Sequence, residues 1–412
     1  MIGIHVKPVR IFGYLCPPEI AHCEEVIIKK NRTAEKLEKM IQLNLNDEKR
    51  IVMTLDAGGT NFVFSAIQGG AEVVEPITLS AHADDLNAIL TRIIQGFEEV
   101  KNLVNTPPVA ISFAFPGPSE YPLGIIGDLA NLPLFRGGVA LGPMLEEKFE
   151  IPVFINNDGD LFTYGEAISG LLPEVNALLE EHNNPKRYNN LLGATFGTGY
   201  GGGIVSNGQL FGGDNSAQGE INRIRNKVHP FYSAEETVSI RGIRKAYARE
   251  ARLDEVMVPT PQSIYEIGMG KVEGNRKAAV KAYQKFAIAA GDSLANAATL
   301  VDGIIVLGGG ISGAHPLFLQ HLVNEMNRKF DTPGGGRLSR LEVHVFNLEN
   351  KKDLQKFLTG KMKEIQVPFS DKKITYDSLK HIGVGITRLG TSRATSIGAY
   401  AFALNQLDKA AS

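Results

Sequence analysis

A strand, a glycine-rich turn and a second strand follow one another at two places in this sequence. The first copy is "LDAGGTNFVFSAI", residues 55–67, and the second is "LGATFGTGYGGGIVSNGQLF", residues 192–211. In the second copy Asn207 and Gly208 favour a tight hairpin turn, because both residue types accept the positive φ angles that such turns require. The repetition predicts that the chain contains the same structural unit twice.

The segments around the two hairpins extend this repeat. After the first hairpin the pattern predicts a third strand, a helix with one apolar face and two buried strands, at 71–79, about 84–104, 109–115 and 151–156. After the second hairpin it predicts four helices, at about 234–251, 275–301, 316–329 and 391–407. It also predicts two strands, at 303–307 and 341–346. We therefore expect an α/β fold with one βββαβ unit twice, the second copy carrying insertions.

The composition is that of a globular protein. The chain has 412 residues, of which 43% are hydrophobic and 21% charged. At roughly 150 residues per domain the length predicts two domains. The net charge of -2 gives no electrostatic reason to expect nucleic acid or an anionic membrane as the main partner. No apolar run resembles a membrane span or a secretion signal, so we expect a cytoplasmic location.

The first glycine turn carries a carboxylate beside an open backbone. Gly58 and Gly59 let the backbone approach a ligand closely, and their N–H groups favour an anion. Asp56 would repel a bare phosphate, but it suits a phosphate that arrives with Mg²⁺. Thr60 adds a hydroxyl donor. An isolated turn of this kind is usually only a hairpin, but a second glycine hairpin across a cleft would complete a phosphate clamp.

Other phosphate motifs fit the sequence less well. No "GxxxxGK[ST]" occurs, which excludes a Walker-type loop. A "GxGxxG" pattern that begins at Gly197 leads into a strand rather than a helix, which argues against a dinucleotide site. A second match, beginning at Gly308, does lie between a strand and a helix. It is equally typical of a close-packed turn, and no acidic residue ends the next strand as a nicotinamide site requires.

A second polar segment is "FINNDGDLFTYGEA", residues 154–167. A buried strand that ends in Asn156, Asn157 and Asp158 before a helix places an acidic group at the carboxyl edge of the sheet, where α/β proteins bind ligands. Asp158 or Asp160 could serve only as the helix cap. Capping needs one of the four polar residues, so the excess indicates a polyhydroxylated ligand and a carboxylate that accepts a proton from a hydroxyl nucleophile.

Seven motifs together resemble the ROK family of sugar kinases: "LDAGGTNFVFSAI", "FAFPGP", "NLPLFRG", "INNDGDLFTYGEA", "GTGYGGGIVSNGQLFGG", "GEI" and "IIVLGGGIS". The resemblance covers roughly residues 51–330 and the C-terminal helix. It implies the two-lobed actin/hexokinase-like (ribonuclease H-like) ATPase fold. We divide the chain accordingly into an N-terminal arm (1–50), a small lobe in two pieces (51–156 with 390–412) and a large lobe (157–389). The large lobe contains an insertion near 331–383.

The resemblance also assigns roles to individual residues. On the nucleotide side it implies Asp56, which would bind Mg²⁺ partly through water, and the residues Gly58, Gly59, Thr60, Asn61, Thr198, Gly199, Gly308, Gly309 and Gly310. Asn61 stands where the family often has lysine. On the sugar side it implies Asp158 as the general base, with Gly117, Asn131, Asn157, Glu220, Arg223 and Glu236 as sugar ligands.

The sequence departs from the family at its zinc site. The family motif "GEIGH" reads "GEINR" here, so that Arg223 replaces a histidine that usually binds zinc and sugar. Residues 224–237 contain no cysteine, and Cys16 and Cys23 match no zinc spacing. His229 alone cannot build a tetrahedral site, so we predict no zinc. Arg223 can still donate to a sugar oxygen, which leaves the sugar preference open.

The resemblance thus implies an ATP- and Mg²⁺-dependent hexose kinase, acting on glucose or a related aldohexose at O6 and forming a homodimer. N-acetylhexosamine, mannose and fructose are alternative substrates. A sugar-responsive repressor is the alternative class, but residues 1–50 hold 9 Lys/Arg, 7 Asp/Glu and one convincing helix, near 33–44, which is too little for a DNA-reading domain. We expect an arm packed on the core or on a partner subunit. The lysine-rich stretch 331–383 is typical of a solvated face.

Overall fold

The computed structural model describes residues 10–11, 14–15, 45–58, 60–117, 119–127 and 133–411. The chain divides into two compact units, Met1–Asn44 and Leu45–Ser412. In the first unit the described residues form one antiparallel pair of short strands. The predicted helix near 33–44 lies outside the described residues. No described helix is both long and apolar enough to cross a bilayer.

The second unit is a mixture of strands and helices. With the pair in the first unit, the strands are β1 (Arg10–Ile11), β2 (Tyr14–Leu15), β3 (Val52–Ala57), β4 (Asn61–Gln68), β5 (Ala71–Glu72), β6 (Ile77–Ser80), β7 (Ala110–Ala114), β8 (Val153–Asn156), β9 (Leu191–Phe196), β10 (Tyr200–Ser206), β11 (Gln209–Leu210), β12 (Ile304–Gly308), β13 (Lys329–Asp331), β14 (Arg337–Ser339), β15 (His344–Asn347), β16 (Met362–Gln366), β17 (Lys373–Asp377) and β18 (His381–Ile386). The helices are α1 (Leu86–Leu103), α2 (Leu141–Phe149), α3 (Asp158–Ser169), α4 (Leu171–Glu181), α5 (Ile240–Ala251), α6 (Pro261–Met269), α7 (Arg276–Val301), α8 (His315–Met326), α9 (Lys351–Thr359) and α10 (Thr391–Ala411).

Two sheets repeat one strand order. The first runs β5-β4-β3-β7-β8, with β6 also paired to β4, and the second runs β11-β10-β9-β12-β18-β15. In both, an antiparallel hairpin joins two central strands, and parallel strands continue the sheet on the far side. Strands β11-β10-β9-β12 thus correspond to β5-β4-β3-β7. This is the duplicated unit that the two glycine hairpins predict.

Helix α1 shows how the first sheet is covered. Its buried side chains recur every three or four residues, as in Ile89, Ile93, Phe97 and Val100, which places them on one face. Asp85 caps the helix by accepting a hydrogen bond from the Ala88 N–H at 2.8 Å. The apolar face lies on the first sheet, where many of its partners are aromatic rings. The sequence pattern predicts this helix to within two residues at its N-terminus and one at its C-terminus.

Helices α3 and α10 lie between the two sheets. Helix α3 packs against β9 and β10 of the second sheet, and α10 packs against β3 and β7 of the first. The two helices touch backbone to backbone through Gly165 of α3 and Gly398 of α10. A β-carbon on Gly165 would come within 1.9 Å of the Ala394 carbonyl oxygen, and one on Gly398 within 1.9 Å of the Leu161 carbonyl oxygen. Only glycine permits this contact.

Three predictions of secondary structure are wrong in detail. The third strand at 71–79 is two short strands, β5 and β6, separated by a segment that contains Pro76, which has no N–H for a ladder. The helix predicted from 234 begins at Ile240, because Ser239 caps it there and residues 234–236 form a separate 3-10 turn. The stretch 331–383 is not only a solvated face, since β18 begins inside it and is buried between β12 and β15.

The lysines of that stretch do face solvent. All seven that the pattern singled out are exposed: Lys351, Lys352, Lys356, Lys361, Lys363, Lys372 and Lys373. Four of them lie in or beside the hairpin of β16 and β17, two strands that pair with no other strand in the described ranges. The stretch therefore combines a buried core strand with exposed hairpins and a helix.

Candidate active site

Asp158 stands at the junction between a buried strand and helix α3. Strand β8 ends at the buried Asn156, and the next residue, Asn157, caps the helix by accepting the Gly159 N–H at 2.8 Å. The possibility that Asp158 serves only as the cap is therefore wrong. Its Oδ1 accepts the same N–H at 2.9 Å, which leaves Oδ2 free to act elsewhere. Because Asn157 already caps the helix, the Asp158 carboxylate is not needed for that purpose.

Asp158 and Asp56 line one cavity of about 160 Å³. The Asp158 side chain is open to this cavity, although protein surrounds it on most sides. This loss of bulk water raises the pKa of Asp158 above its ordinary value, and the negative charge of Asp56 adds to the rise. A carboxylate in this position holds a proton more strongly than an exposed aspartate does, which suits a general base.

Helix α10 contributes four hydroxyl side chains to the same cavity. They are Thr391, Ser392, Thr395 and Ser396. Thr391 also accepts a hydrogen bond from the Gly309 N–H at 2.8 Å, which joins the cavity to the predicted adenosine segment. These four residues were not predicted from the sequence. The hydroxyls of "TSRATS" recur at helical spacing along one face, and this spacing is the signal that could have identified them.

A buried carboxylate fixes the start of helix α10. Glu166 of α3 is fully buried and accepts hydrogen bonds from the N–H groups of Arg388 and Leu389 and from the Thr387 hydroxyl. It also accepts the Leu171 N–H at 2.8 Å, so all its partners are donors. One helix thus carries Asp158 at its first residue and positions the hydroxyls of α10 with its last turn.

The predicted adenosine segment is a close-packed turn at the end of β12. A β-carbon on Gly309 would come within 2.3 Å of the Phe196 carbonyl oxygen, and its φ of +80° is a conformation that glycine adopts without strain. Gly308 faces the Phe162 ring, where a β-carbon would come within 2.5 Å. Gly310 is exposed and has no neighbour within 4 Å of a β-carbon. Of the three, only Gly310 has room for a ligand beside it.

The second glycine turn is held from the side by an acidic residue. The Gly197 N–H donates to the Gly199 carbonyl at 3.0 Å, which closes the turn around the exposed Thr198. Glu235 accepts the Tyr200 N–H at 3.1 Å and pairs with Arg241 at 3.0 Å. No sequence motif predicts this role for Glu235.

The first glycine turn is open to solvent. Asp56 lies near the end of β3, and Thr60 and Asn61 follow the turn with their side chains exposed. A β-carbon on Gly58 would come within 2.9 Å of the Asn61 carbonyl oxygen, so the turn is tight. Gly59 lies outside the described residues. The turn leaves the Asp56 carboxylate accessible, and oxygen ligands of this kind suit Mg²⁺.

Tyr121 gathers several of the predicted sugar ligands. Its hydroxyl donates to the Phe115 carbonyl at 2.9 Å, and the Asn157 amide reaches it at 3.5 Å. Gly117 lies against the same hydroxyl, because a β-carbon there would come within 2.0 Å of it. Burial raises the pKa of Tyr121, and the negative charges of Asp158 and Glu220 act in the same direction. The fold therefore brings Gly117, Asn157 and Asp158 together, and the charge of Glu220 acts on the same tyrosine hydroxyl.

The other predicted sugar ligands have different surroundings. The exposed Arg223 follows Glu220 on a 3-10 turn and its N–H donates to the Glu220 carbonyl at 3.0 Å, whereas Glu236 pairs with Arg241 at 2.7 Å. Glu236 also lines a different cavity, of about 320 Å³, whose walls include His229 and Lys245. Asn131 lies outside the described residues. Their roles as sugar ligands stay predictions.

An asparagine organises the segment in which the family places zinc. Asn226 is buried, and its amide donates to the Ser233 carbonyl at 3.0 Å and the Thr237 hydroxyl at 2.8 Å. Its carbonyl oxygen accepts the N–H groups of Val228 and His229 at 2.9 and 3.0 Å. Among the described residues no group of three or more His, Cys, Asp and Glu side chains is arranged to hold a metal ion.

We expect Asn226→Ala to lower the free energy of unfolding by about 2 kcal/mol, because the change leaves several buried polar groups without partners. Thermal and urea denaturation measure this loss. Asn105→Ala, at an exposed asparagine, is the control and should change stability by less than about 0.5 kcal/mol. If the two variants were equally stable, the segment would have to be held by something other than Asn226.

The fold and these residues can be compared with known proteins. The crystal structure of a glucokinase from Parabacteroides distasonis superposes with a TM-score of 0.81 at 50% identity, over 88% of this chain and 99% of that one. A glucokinase from Halalkalibacterium halodurans is 28% identical over 41% of this chain and 48% of its own length. A xylose repressor from Bacillus spizizenii is 26% identical over 46% of each chain. The chain thus spans about half the length of these two curated relatives.

A sequence model of the ROK family matches residues 52–333, which is more than half of the chain. The matched range includes both glycine hairpins and the strand-to-helix junction that carries Asp158. The duplicated sheets and the TM-score of 0.81 agree with the actin/hexokinase-like fold that the seven motifs imply. The chain belongs to the ROK family.

Proposed function

We propose that this protein is a sugar kinase that transfers the γ-phosphoryl group of ATP to a hydroxyl of a hexose, with Mg²⁺ as the required ion. One observation carries the proposal: Asp158 and Asp56 line the same cavity, with a raised pKa at Asp158. A base for the hydroxyl and a ligand for a metal-bound phosphate are the two carboxylates that such a transfer needs. The names of the glucokinase relatives support the same reaction class.

We propose one role for each residue or turn of the site. Asp158 would orient the acceptor hydroxyl and receive its proton as the new bond to phosphorus forms. Asp56 would hold Mg²⁺, partly through water, and the turns at Thr60 and Thr198 would hold phosphate oxygens. Mg²⁺ supplies positive charge that offsets the charge on the phosphoryl group. The hydroxyls of α10 add polar groups to the wall of the cavity that Asp56 and Asp158 line.

The substrate we propose is glucose or a related aldohexose, phosphorylated at O6. Both kinase relatives described above are named glucokinases, and Glu220 and Asn157 would supply an acceptor and an amide for sugar hydroxyls. Arg223 would donate to a sugar oxygen in place of the family's histidine. A homodimer is proposed on the family resemblance alone.

A panel of hexoses tests the proposal. We expect release of ADP, measured with a coupled assay, to depend on ATP, Mg²⁺ and one of glucose, mannose, fructose or N-acetylglucosamine, with glucose giving the highest kcat/KM. Activity with another hexose but not with glucose would revise the substrate. The absence of sugar-dependent ADP release with all four would contradict the kinase assignment.

The second candidate function is a sugar-responsive repressor, because a xylose repressor also matches this chain. The two classes differ in what the sugar does: a kinase consumes ATP, whereas a repressor changes its affinity for DNA. A gel-shift assay with random DNA separates them. We expect no shift with or without glucose, and a specific shift without ADP release would favour the repressor.

A further inference from the structure

Asp160 is a second acidic residue on the first turn of α3, and the proposed reaction does not use it. Only 3% of its surface is exposed, and Gln218 donates from Nε2 to its Oδ2 at 2.6 Å. Gln218 lies 58 residues after Asp160 in the sequence, in the segment that carries Glu220. A buried carboxyl is costly unless its oxygens find donors, so its presence requires an explanation.

One oxygen of Asp160 and the single oxygen of the Gln218 side chain are left over by this hydrogen bond. Asp160 Oδ1 and Gln218 Oε1 are both buried and make no hydrogen bond within the part of the chain that the structure describes. An ionised carboxylate and an amide carbonyl are both acceptors, so neither can satisfy the other. A proton on Asp160 Oδ1 removes the problem. The carboxylic acid would then donate to Gln218 Oε1 while it accepts from Nε2, and neither buried oxygen would be left without a partner.

The surroundings favour the protonated form. Burial raises the pKa of Asp160 well above its ordinary value, and the charges of Asp158 and Glu220 raise it further. The hydrogen bond from Gln218 acts in the opposite direction but is outweighed. A third negative charge beside Asp158 and Glu220 would be repelled by both, whereas a neutral acid is not.

The backbone around the pair is built for close contact. A β-carbon on Gly202 would come within 2.4 Å of the Gly219 carbonyl oxygen, and one on Gly203 within 2.9 Å of the Asp160 α-carbon. Strand β10 thus has no side chain at the two positions where α3 and the turn at Gly219 lie against it. Gly202 and Gly203, which belong to the segment that the resemblance implied for phosphate, serve this packing. They bring Asp160 and Gln218 within reach of each other.

We propose that Asp160 is a positioning residue that, as a neutral carboxylic acid, clamps Gln218 in a two-point hydrogen bond and so fixes the turn of Glu220 against the helix of Asp158. Asp160 is two residues from Asp158, and Gln218 is two residues from Glu220. The pair therefore ties the general base to a carboxylate that we expect to bind sugar. This inference rests on the proposed function for its effect on catalysis, but not for the hydrogen-bonded pair itself.

Two substitutions of Asp160 separate this role from a merely structural one. Asparagine has one acceptor and one donor at the same places as the neutral acid, so Asp160→Asn should keep the KM for glucose within about threefold of the wild type. Asp160→Ala removes both, and we expect the KM for glucose to rise about tenfold while the KM for ATP changes less than about threefold. Asp214→Ala, at an exposed acid of the same segment, is the control and should change neither KM.

Three results would overturn the inference. Asp160→Asn could raise the KM for glucose as much as Asp160→Ala, which would show that the charge is needed. Asp160→Ala could raise both KM values equally, which is the effect of general damage. A denaturation cycle of Asp160→Ala, Gln218→Ala and the double variant could also be additive, whereas the clamp predicts coupling. The cycle needs no activity, so it decides on the pair even if no hexose is phosphorylated and the proposed function fails.

Discussion

Asp158→Asn should lower kcat for glucose phosphorylation by about 10²- to 10⁴-fold, the usual contribution of a positioned general base. Asparagine keeps the size of the side chain and can still accept the Gly159 N–H, but it cannot take a proton from the sugar. The affinity for ATP with Mg²⁺ should stay within about twofold, because the proposed phosphate ligands lie elsewhere. Steady-state kinetics and calorimetric titration with a non-hydrolysable ATP analogue measure the two effects.

The pH dependence gives this prediction an internal control. A base works only when it is unprotonated, so activity should be present above the pKa of Asp158 and be lost as the pH falls through it. Because this pKa is raised above its ordinary value of 3.8, the loss should begin at a higher pH than for an exposed aspartate. The residual activity of Asp158→Asn should lack this acid limb. Unchanged turnover in that variant would remove Asp158 from the mechanism.

Gly398→Ala should lower the free energy of unfolding by about 3 kcal/mol, the upper end of the usual cost of overpacking. In an exposed helix the same substitution stabilises by about 1 kcal/mol, so the expected sign is opposite to that of helix propensity. The reason is the contact between α10 and α3, where the new methyl group would lie 1.9 Å from the Leu161 carbonyl oxygen. Thermal denaturation should show a decrease in Tm of roughly 4 °C, because a unit as large as Leu45–Ser412 unfolds with a large entropy change.

A glycine in open space is the matched control. A β-carbon on Gly334 would have no neighbour within 4 Å, and its φ is not in the left-handed region. Gly334→Ala should therefore change stability by less than about 1 kcal/mol. If Gly398→Ala were as stable as this control, the two helices could not be packed as closely as the structure has them. The way in which these two helices join the two sheets would then need another explanation.

Local patterns were enough to predict much of the fold. The hairpins at 55–67 and 192–211, helix α1 and the strand that leads to Asp158 all follow from alternation, apolar periodicity and glycine turns within short windows. The duplication also follows, because the same order of local patterns occurs twice. Strand β18 was missed. Its run "HIGVGI" is short and glycine-containing, and only its pairing between β12 and β15 makes it a strand.

The site was predictable only in part, for a related reason. Asp56 and Asp158 stand out because each follows or ends a buried strand at a recognisable motif. Glu166 and the hydroxyls of α10 act across more than 200 residues of sequence, so no local pattern connects them. The clamp of Asp160 and Gln218 likewise joins two segments that meet only because β10 is bare between them. Contacts of this kind require the folded structure.

A crystal structure with glucose, Mg²⁺ and a non-hydrolysable ATP analogue tests the central claim most directly. The distance to measure joins the nearer Asp158 carboxylate oxygen to the sugar hydroxyl that faces the γ-phosphate. We predict that it lies within roughly 2.6–3.2 Å, with Asp56 beside the metal and both glycine turns at the phosphates. An Asp158 side chain turned away from the sugar, or turns far from the triphosphate, would contradict the account.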